Sequence, residues 1–391
     1  MKDPATSDNT DNSIVSFVRF STSGLNDLPK QLVRSLYIAC QRNFPKHPRE
    51  PSIKDAGIEV ETRMSDFKRE NSKVKFPPVR DIRVDENSSV DDVISAMRSS
   101  GGFQARYLSD SLDILEMMCR EKDCVKFLSF PAAIVSTGTR GIIKELVKRK
   151  LCDVIVTTCG TLDHDLARAY RPYNSGGEFA MDDILLEKKG YHRLGNILIP
   201  IDNYGPLIEK KVQKVLSDMY SRGEKEPTTQ LLCKRLGESL SKNEDSILYW
   251  ASKNDIPVFV PGITDGAVGS QCWLFYQTHR DFKLDLLGDE QALSDIVYSA
   301  KKSGALMLGG GISKHHTLWW NQFRNGLDYA VYITSATELD GSLSGAQVRE
   351  AISWGKVSIR ARQVTVFGEI TTLLPFIVTA LIQRLSRKKA G

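Results

Sequence analysis

The sequence predicts an α/β protein whose mostly parallel sheet is covered by helices on both faces. Short runs rich in β-branched and aromatic residues recur along the chain, and segments with helical periodicity separate several of them. The runs are apolar almost throughout, which is typical of strands buried on both faces. Strands that alternate with helices in this way form a parallel sheet with crossover helices. The expected architecture is therefore Rossmann-like.

Seven runs are predicted strands, and two helical patterns between them are the clearest. The pattern within 139–150 places four aliphatic side chains on one face of a helix. The pattern within 289–304 is expected to end with Gly304 as the C-cap of its helix. The predicted strands are 125–130, 153–158, 196–201, 257–262, 305–310, 329–334 and 363–369.

The chain is predicted to consist of an N-terminal extension, residues 1–78, and one α/β domain, residues 79–391. Residues 1–13 are polar and are expected to be disordered, because they have almost nothing to bury. An amphipathic helix is predicted within 28–44. The segment 45–78 is charged and contains five prolines, which is typical of an arm or linker.

Composition excludes several classes of protein. The 391 residues carry a formal net charge of +5, which does not by itself indicate nucleic acid binding. The seven cysteines are odd in number and include no C-x-x-C pair, so we expect neither a disulfide framework nor a metal site. The longest apolar run, 373–382, is too short to span a bilayer. The polar, acidic start is unlike a secretory signal, so a cytoplasmic protein is predicted.

Small and polar residues follow six of the predicted strands. Each of these strand ends carries small residues together with an acid, a hydroxyl or an imidazole. In a parallel sheet these ends meet at one edge, which is where doubly wound proteins bind their ligands. The pattern predicts a site for a nucleotide-sized ligand. The segments concerned are 131–140, 159–165, 263–270, 311–316, 335–341 and 368–369.

Most of these residues also have a structural interpretation. The glycines at 309–311 suit close approach of a pyrophosphate, but glycine-rich turns are common. Asp340 and Glu369 suit ribose hydroxyls or, equally, a turn and a helix cap. The Asp-His-Asp run at 163–165 is better interpreted as a helix-start cap than as a metal cluster. His315 and its neighbour His316 are candidate acid–base groups or structural histidines.

Three further features have the same ambiguity. Lys356 follows Trp354 and a glycine, so it is either a solvated lysine at a turn or a nucleophile beside an indole. Trp319 and Trp320 lie on a predicted helix, where packing in the core is the ordinary expectation. The basic tail, residues 384–389, is expected to be a solvated helix end, with RNA contact as the alternative.

Several motifs in series resemble the deoxyhypusine synthase family in its archaeal form. The strongest are LGGGISKHH (308–316), ELDGSLSGA (338–346) and REAISWGK (349–356). The likeness extends through GFQARYL (102–108) and VTVFGEITTLLPFIV (364–378), and it covers roughly residues 79–385. The resemblance implies a cytoplasmic homotetramer that transfers the aminobutyl group of spermidine to a lysine of translation initiation factor 5A, with NAD as cofactor.

The resemblance also implies roles for individual residues. Lys356 and His315 are the implied catalytic residues, with Lys356 carrying the butylimine. Trp354 and Glu350 match polyamine-binding positions, and Asp163 and Asp165 are the acids expected to take the place of missing ones. The implied NAD-binding positions are Ser136, Thr158, Cys159, Gly160, Asp265, Gly309, Gly311, Ser335, Ala336, Asp340, Gly368 and Glu369.

The sequence departs from the family pattern at several expected polyamine contacts. His164 stands within a run that is usually acidic, and Ser270 and Leu343 replace two aspartates. A homospermidine synthase-like transferase acting on small amines is therefore one alternative. The other is a non-catalytic protein or RNA-binding relative that keeps the fold.

Overall fold

The computed structural model describes residues 76–387. The prediction for 1–13 and the helix predicted within 28–44 lie outside these residues, and the division of the chain at residue 78 stays a prediction. The strands are β1 (Cys124–Ser129), β2 (Val154–Val156), β3 (Tyr191–Leu194), β4 (Ile197–Pro200), β5 (Val258–Phe259), β6 (Lys302–Leu308), β7 (Leu327–Thr334) and β8 (Val357–Phe367).

The α-helices of the described chain lie before, between and after these strands, singly or in groups of two or three. They are α1 (Val90–Met97), α2 (Phe103–Arg120), α3 (Thr139–Lys148), α4 (Cys159–Tyr170), α5 (Asp183–Lys188), α6 (Ile201–Ser221), α7 (Thr229–Ser239), α8 (Ile247–Lys253), α9 (Ala267–Thr278), α10 (Leu286–Ser299), α11 (Ile312–Asn321) and α12 (Ile370–Ser386). No helix among residues 76–387 is long and apolar enough to cross a lipid bilayer.

Six strands form one parallel sheet in the order β5-β2-β1-β6-β7-β8. The chain moves outward from β1 to β5 and then returns to the other side of β1 to add β6, β7 and β8. This is the doubly wound order, and the point of reversal lies between β1 and β6. The predicted fold class is confirmed.

The sheet separates two hydrophobic cores. Along β7, Val331 and Ile333 face the core formed with α2, α3 and α12, whereas Ala330 and Tyr332 face the opposite core. The second core contains apolar residues of α10, of α11 and of the segment between β7 and β8. Both faces of the strands are therefore buried, which explains why their sequences are apolar almost throughout.

Local side chains define where several helices begin. Ser89 forms a capping box with Asp92 at the start of α1, and the hydroxyl of Thr228 accepts the Leu231 amide at the start of α7. These contacts satisfy amide groups that have no partner within the helix.

Two predicted elements differ from the structure. The segment 196–201 forms strand β4, but β4 pairs antiparallel with β3 in a separate hairpin rather than joining the main sheet. Gly195 makes the hairpin turn with φ of +61°. Gly304 is not a C-cap, because α10 ends at Ser299 and Gly304 lies within β6. A Cβ there would lie 2.6 Å from the Met118 sulfur, so packing of α2 on the sheet requires the glycine.

The basic end of the chain is more structural than its sequence suggests. The Arg384 guanidinium is mostly buried, and it pairs with Asp91 at 2.5 Å, Asp113 at 2.7 Å and Glu116 at 3.2 Å. Arg387 also pairs with Asp91, at 2.8 Å. Arg384 therefore joins α12 to α1 and α2, and the expectation of a solvated helix end is wrong for this residue.

Candidate functional site

The carboxyl edge of the sheet brings the predicted cofactor residues to one end of the molecule. Backbone hydrogen bonds continue past the strand ends, from the Gly309 amide to Ile333 at 2.8 Å and from the Gly368 amide to Thr334 at 2.8 Å. A Cβ on Gly309 would lie 3.3 Å from Pro131, so the turn after β6 closely approaches the turn after β1. These two turns flank the point where the strand order reverses, which is the ligand crevice of this architecture.

Glycines shape the crevice in two ways. Gly309 and Gly311 have φ of +66° and +80°, which favours glycine, and a Cβ on Gly311 would meet nothing within 4 Å. A Cβ on Gly310, in contrast, would lie 2.2 Å from the Ser344 hydroxyl. Neither α4 nor α11 has a side-chain cap, and their first turns begin at this edge. Uncapped helix N-termini present free amides and a positive dipole end, which suit a phosphate.

The two acids predicted to bind ribose both make local hydrogen bonds. Asp340 accepts the Ser342 amide at 2.7 Å in a tight turn. Glu369 caps α12 by accepting the amides of Thr371 at 2.9 Å and Thr372 at 2.8 Å, together with both hydroxyls. Burial acts to raise the pKa of Glu369, but these hydrogen bonds lower it below its ordinary value.

The remaining predicted cofactor positions differ in accessibility. Asp265 and Ser335 are exposed at the edge, and Ala336 and Thr158 are half-buried. The Ser136 hydroxyl is buried and donates to the Ala133 carbonyl at 2.7 Å. The Cys159 thiol is fully buried and accepts the Gly269 amide at 3.4 Å, and burial raises its pKa. A Cβ on Gly160 would lie 2.8 Å from the Ala132 side chain.

Asp163 and Asp165 project from α4 into the protein interior. Asp163 accepts the Ala267 amide at 2.9 Å and the Val268 amide at 2.8 Å, and Tyr204 donates to it at 2.8 Å. It therefore caps α9, directly after the loop that carries Asp265. Burial raises the pKa of Asp163, against the lowering effect of the two amides.

Asp165 is wholly buried and supports a different helix. It pairs with Arg140 at 2.6 Å and accepts the Ser246 hydroxyl at 2.7 Å, the Ile247 amide at 3.1 Å and the Leu248 amide at 2.9 Å. These donors occupy the carboxylates of both aspartates. The expectation that Asp163 and Asp165 bind a polyamine therefore does not agree with the structure, which gives them roles within the fold. His164 between them bonds the Tyr173 hydroxyl at 3.0 Å.

Lys356 lies in a slot between two indole rings. Lys356 is only 9% exposed. Its ammonium lies 5.3 Å from the centre of the Trp319 ring and 5.2 Å from the centre of the Trp354 ring. Its backbone carbonyl accepts the Leu327 amide at 3.1 Å, which places it at the amino end of β8. Burial lowers the pKa of Lys356 below its ordinary value. Lys356 is therefore a buried lysine beside indole rings rather than a solvated lysine at a turn.

The two histidines of α11 have different surroundings. His315 is half-buried, and its ring centre lies 5.8 Å from that of Trp319. Burial is the main cause that lowers the pKa of His315, and the charge of Lys356 adds to it. The Nε2 atom of His316 lies 3.3 Å from a carboxylate oxygen of Glu290, and burial lowers the pKa of His316 to about 4. His315 therefore belongs to the lysine slot, whereas His316 is a structural contact between α11 and α10.

The segment 335–356 connects β7 to β8 and forms one wall of the site. Lys314 of α11 donates to the carbonyls of Leu343 at 2.8 Å and Ala346 at 2.6 Å, and its ammonium lies 3.7 Å from the centre of the Tyr332 ring. Burial lowers the pKa of Lys314 to about 8, and the charge of Glu350 opposes this. Glu350 itself is exposed and lines an open cavity of about 630 Å³.

Two residues of this site were not predicted from the sequence. Trp319 was expected in the core, but its side chain is 44% exposed and forms a wall of the lysine slot. It lies four residues after His315, so the spacing of one helical face was the signal available. Lys314 is 3% exposed, and its hydrogen bonds join α11 to the segment 335–356. Its position before the histidines gave no indication of this.

The fold, the carboxyl edge of its sheet and the surroundings of Lys356 define the class of protein. It is an α/β protein of the doubly wound, dinucleotide-binding type that carries a buried amine beside an imidazole. Comparison with known proteins gives the particular family. The family model for deoxyhypusine synthase matches residues 92–381. The chain therefore belongs to the deoxyhypusine synthase family, whose enzymes are NAD-dependent aminobutyl transferases.

Relatives from archaea match nearly over their whole length. A probable deoxyhypusine synthase from Thermoplasma volcanium is 54% identical over 305 residues, which cover 78% of this chain and 97% of the relative. A probable deoxyhypusine synthase from Ignicoccus hospitalis is 46% identical over 314 residues, which cover 79% of this chain and 97% of the relative. The predicted family, function and archaeal likeness are confirmed.

A solved structure agrees with the fold. It is a crystal structure from Entamoeba histolytica, assigned provisionally as a deoxyhypusine synthase. The identity is 20%, the TM-score is 0.53, and the match covers 81% of this chain and all of the other chain. This likeness supports the doubly wound architecture described above.

Proposed function

We propose that this chain uses NAD to transfer the aminobutyl group of spermidine, through Lys356, to a lysine of translation initiation factor 5A in the cytoplasm. The observation that carries this proposal is the buried Lys356 amine held between two indole rings and close to His315. Family membership supports the same chemistry and a homotetrameric assembly.

The surroundings of Lys356 suit an amine nucleophile. Only a neutral amine attacks an imine carbon, and burial favours the neutral form of lysine. Within residues 76–387 the Lys356 ammonium has no ion-pair partner, and burial is the cause of its lowered pKa. The aminobutyl carbon would bond to Nζ as its bond to the departing 1,3-diaminopropane nitrogen breaks. The acceptor lysine then displaces Lys356 in the same manner.

His315 is placed to move protons in these exchanges. Imine exchange requires proton transfer to the departing nitrogen and from the attacking nitrogen. His315 lies on the same helix face as Trp319, and burial together with the charge of Lys356 lowers its pKa, which favours the neutral imidazole. A neutral imidazole accepts a proton from the attacking amine and returns it to the leaving amine.

The carboxyl edge of the sheet fits NAD. When bound, NAD supplies a hydride acceptor and returns the hydride, so the overall transfer is redox neutral. The open space at Gly311 and the uncapped starts of α4 and α11 suit its pyrophosphate. Asp265 and Asp340 follow strands of this sheet and are exposed, so both are available to bind the cofactor. Glu369 is a weaker candidate, because four donors already occupy its carboxylate.

The experiment mixes the protein with spermidine, NAD and the acceptor factor, and measures acceptor modification and 1,3-diaminopropane release. Lys356→Arg is the informative variant, because arginine keeps the positive charge but is not deprotonated in proteins. We expect it to keep NAD affinity and to lose transfer. Lys301→Ala removes a lysine whose side chain is 76% exposed and serves as the control with full activity.

Two outcomes would contradict the proposal. Release of no 1,3-diaminopropane by the wild type would exclude the transfer, and substantial activity of Lys356→Arg would exclude Lys356 as the nucleophile. A parallel reaction with putrescine in place of the protein acceptor tests the second candidate. That candidate is motivated by uncharged Ser270 and Leu343, and efficient homospermidine formation would favour it.

A further inference from the structure

We propose that Trp319 determines specificity by forming, with Trp354, an aromatic slot that binds an alkylammonium group of the substrate beside Lys356. The inference rests on the proposed function, because it assigns a binding role within that reaction. The chain's own ammonium marks the cation position, at 5.3 Å and 5.2 Å from the two ring centres. Both distances lie within about 6 Å, the range of cation–π attraction.

No carboxylate of the described residues contacts the ammonium at this position. Among the described residues, none forms an ion pair with Lys356. Leu343 and Ser270 carry no charge, and helix starts and Arg140 occupy the carboxylates of Asp163 and Asp165. Glu350 is exposed and its charge acts on Lys314, so it is the neighbouring acid. The π faces of the two indoles are the groups that lie next to the Lys356 ammonium itself.

The Trp319 ring packs against neighbouring aromatic side chains and is still accessible to a ligand. Phe323 contacts it edge to face, with ring centres 6.4 Å apart, and His315 lies on another side at 5.8 Å. At the same time the side chain is 44% exposed, so a ligand has access to it. Trp354, the second ring beside the ammonium, is 65% exposed. Both rings of the slot are therefore accessible to a ligand, and neighbouring aromatic side chains fix the position of Trp319.

A bound ammonium would also activate the lysine. A positive charge close to Lys356 disfavours its protonated form and lowers its pKa further. The aromatic slot accepts this charge without a carboxylate, which would instead stabilise the protonated lysine. Substrate binding and formation of the neutral nucleophile are therefore coupled through the same two rings.

The test compares Trp319→Leu and Trp319→Phe with a matched control on the same helix. Trp320→Phe changes the adjacent indole, which is half-buried and donates to Glu290 at 2.5 Å away from the slot. For each variant, spermidine affinity is measured by calorimetry, NAD affinity by fluorescence, and transfer by kcat and KM. Thermal melting confirms that each variant is folded.

We expect Trp319→Leu to weaken spermidine affinity about 2- to 30-fold, the range of one cation–π contact, with NAD affinity unchanged. Trp319→Phe should keep most of the affinity because it keeps a π face, and Trp320→Phe should match the wild type. Wild-type spermidine affinity in Trp319→Leu, or equal losses in Trp319→Leu and Trp319→Phe, would overturn the inference. If the wild type releases no 1,3-diaminopropane, the proposed function fails, while the calorimetric comparison still decides about the slot.

Discussion

Replacing Asp165 with asparagine separates a structural carboxylate from a substrate-binding one. The sequence places Asp165 where a polyamine contact was expected, whereas the structure surrounds it with four donors inside the protein. The Arg140 side chain is 6% exposed and that of Asp165 is 0% exposed. Asp165→Asn keeps the shape but leaves the Arg140 charge buried without a counter-charge.

The expected loss of stability is large. Removing one partner of a buried ion pair costs about 3–5 kcal/mol, because the remaining charge is left unpaired. Loss of the cap on α8, about 0.5–2 kcal/mol on its own, overlaps with this value, since the same oxygens are involved. The matched control is Asp202→Asn. Asp202 pairs with Arg171 at 2.5 Å, but their side chains are 68% and 57% exposed, so the expected cost is below about 1 kcal/mol.

The assay is denaturant unfolding of the wild type and both variants at one protein concentration, together with KM for spermidine. The structural role predicts a lowered unfolding midpoint for Asp165→Asn and, under conditions where it is folded, a KM near that of the wild type. A variant that keeps wild-type stability but raises KM about tenfold or more would refute this reasoning. It would return Asp165 to the polyamine site.

Two further predictions follow from single contacts. Burial lowers the pKa of His164 from 6.5 to about 4, so only the unfolded chain takes up this proton between those pH values; unfolding free energy should therefore fall as pH drops through that window. In the wild type, this effect changes the free energy of unfolding by at most about 3 kcal/mol across the window. His164→Asn should abolish that change, as measured by denaturant unfolding at several pH values. Gly310→Ala should lower both NAD affinity and the melting temperature, because its Cβ would lie 2.2 Å from the Ser344 hydroxyl. Gly205→Ala is its control, since Gly205 lies in α6, outside the predicted ligand segments, and a Cβ there meets nothing within 4 Å. Equal behaviour of the two variants would contradict the packing argument.

The periodicity of the sequence was sufficient to predict the sheet, but not every strand's partner. Strands buried on both faces have an apolar pattern that distinguishes them, and β1, β2, β6 and β7 were placed on this basis. The run at 196–201 has the same local pattern, and only the chain reversal at Gly195 turns it into a hairpin. Pairing depends on the path of the whole chain, which composition within a run does not contain.

The site was predictable to a similar extent. The positions of the glycines and of Lys356 follow from the motifs, because residues adjacent to strand ends lie at the sheet edges. The role of an acid does not follow in this way. Asp163 and Asp165 look like available ligands in the sequence, but their partners lie about a hundred residues away at Ala267 and about eighty away at Ser246. Contacts over such separations become visible only in the fold.

The two buried lysines of the site show why the proposal of Lys356 as nucleophile rests on geometry rather than on pKa. Burial lowers the pKa of both, and Lys314, at about 8, would be a reasonable candidate on that criterion. Lys314, however, donates to two carbonyls and lies over the Tyr332 ring, so its nitrogen is committed to holding the connecting segment against α11. The Lys356 nitrogen has no hydrogen-bond acceptor among residues 76–387, and it lies near two indole rings and the imidazole of His315. Once it is deprotonated, its lone pair is available to attack, and that availability distinguishes a nucleophile from a buried structural amine.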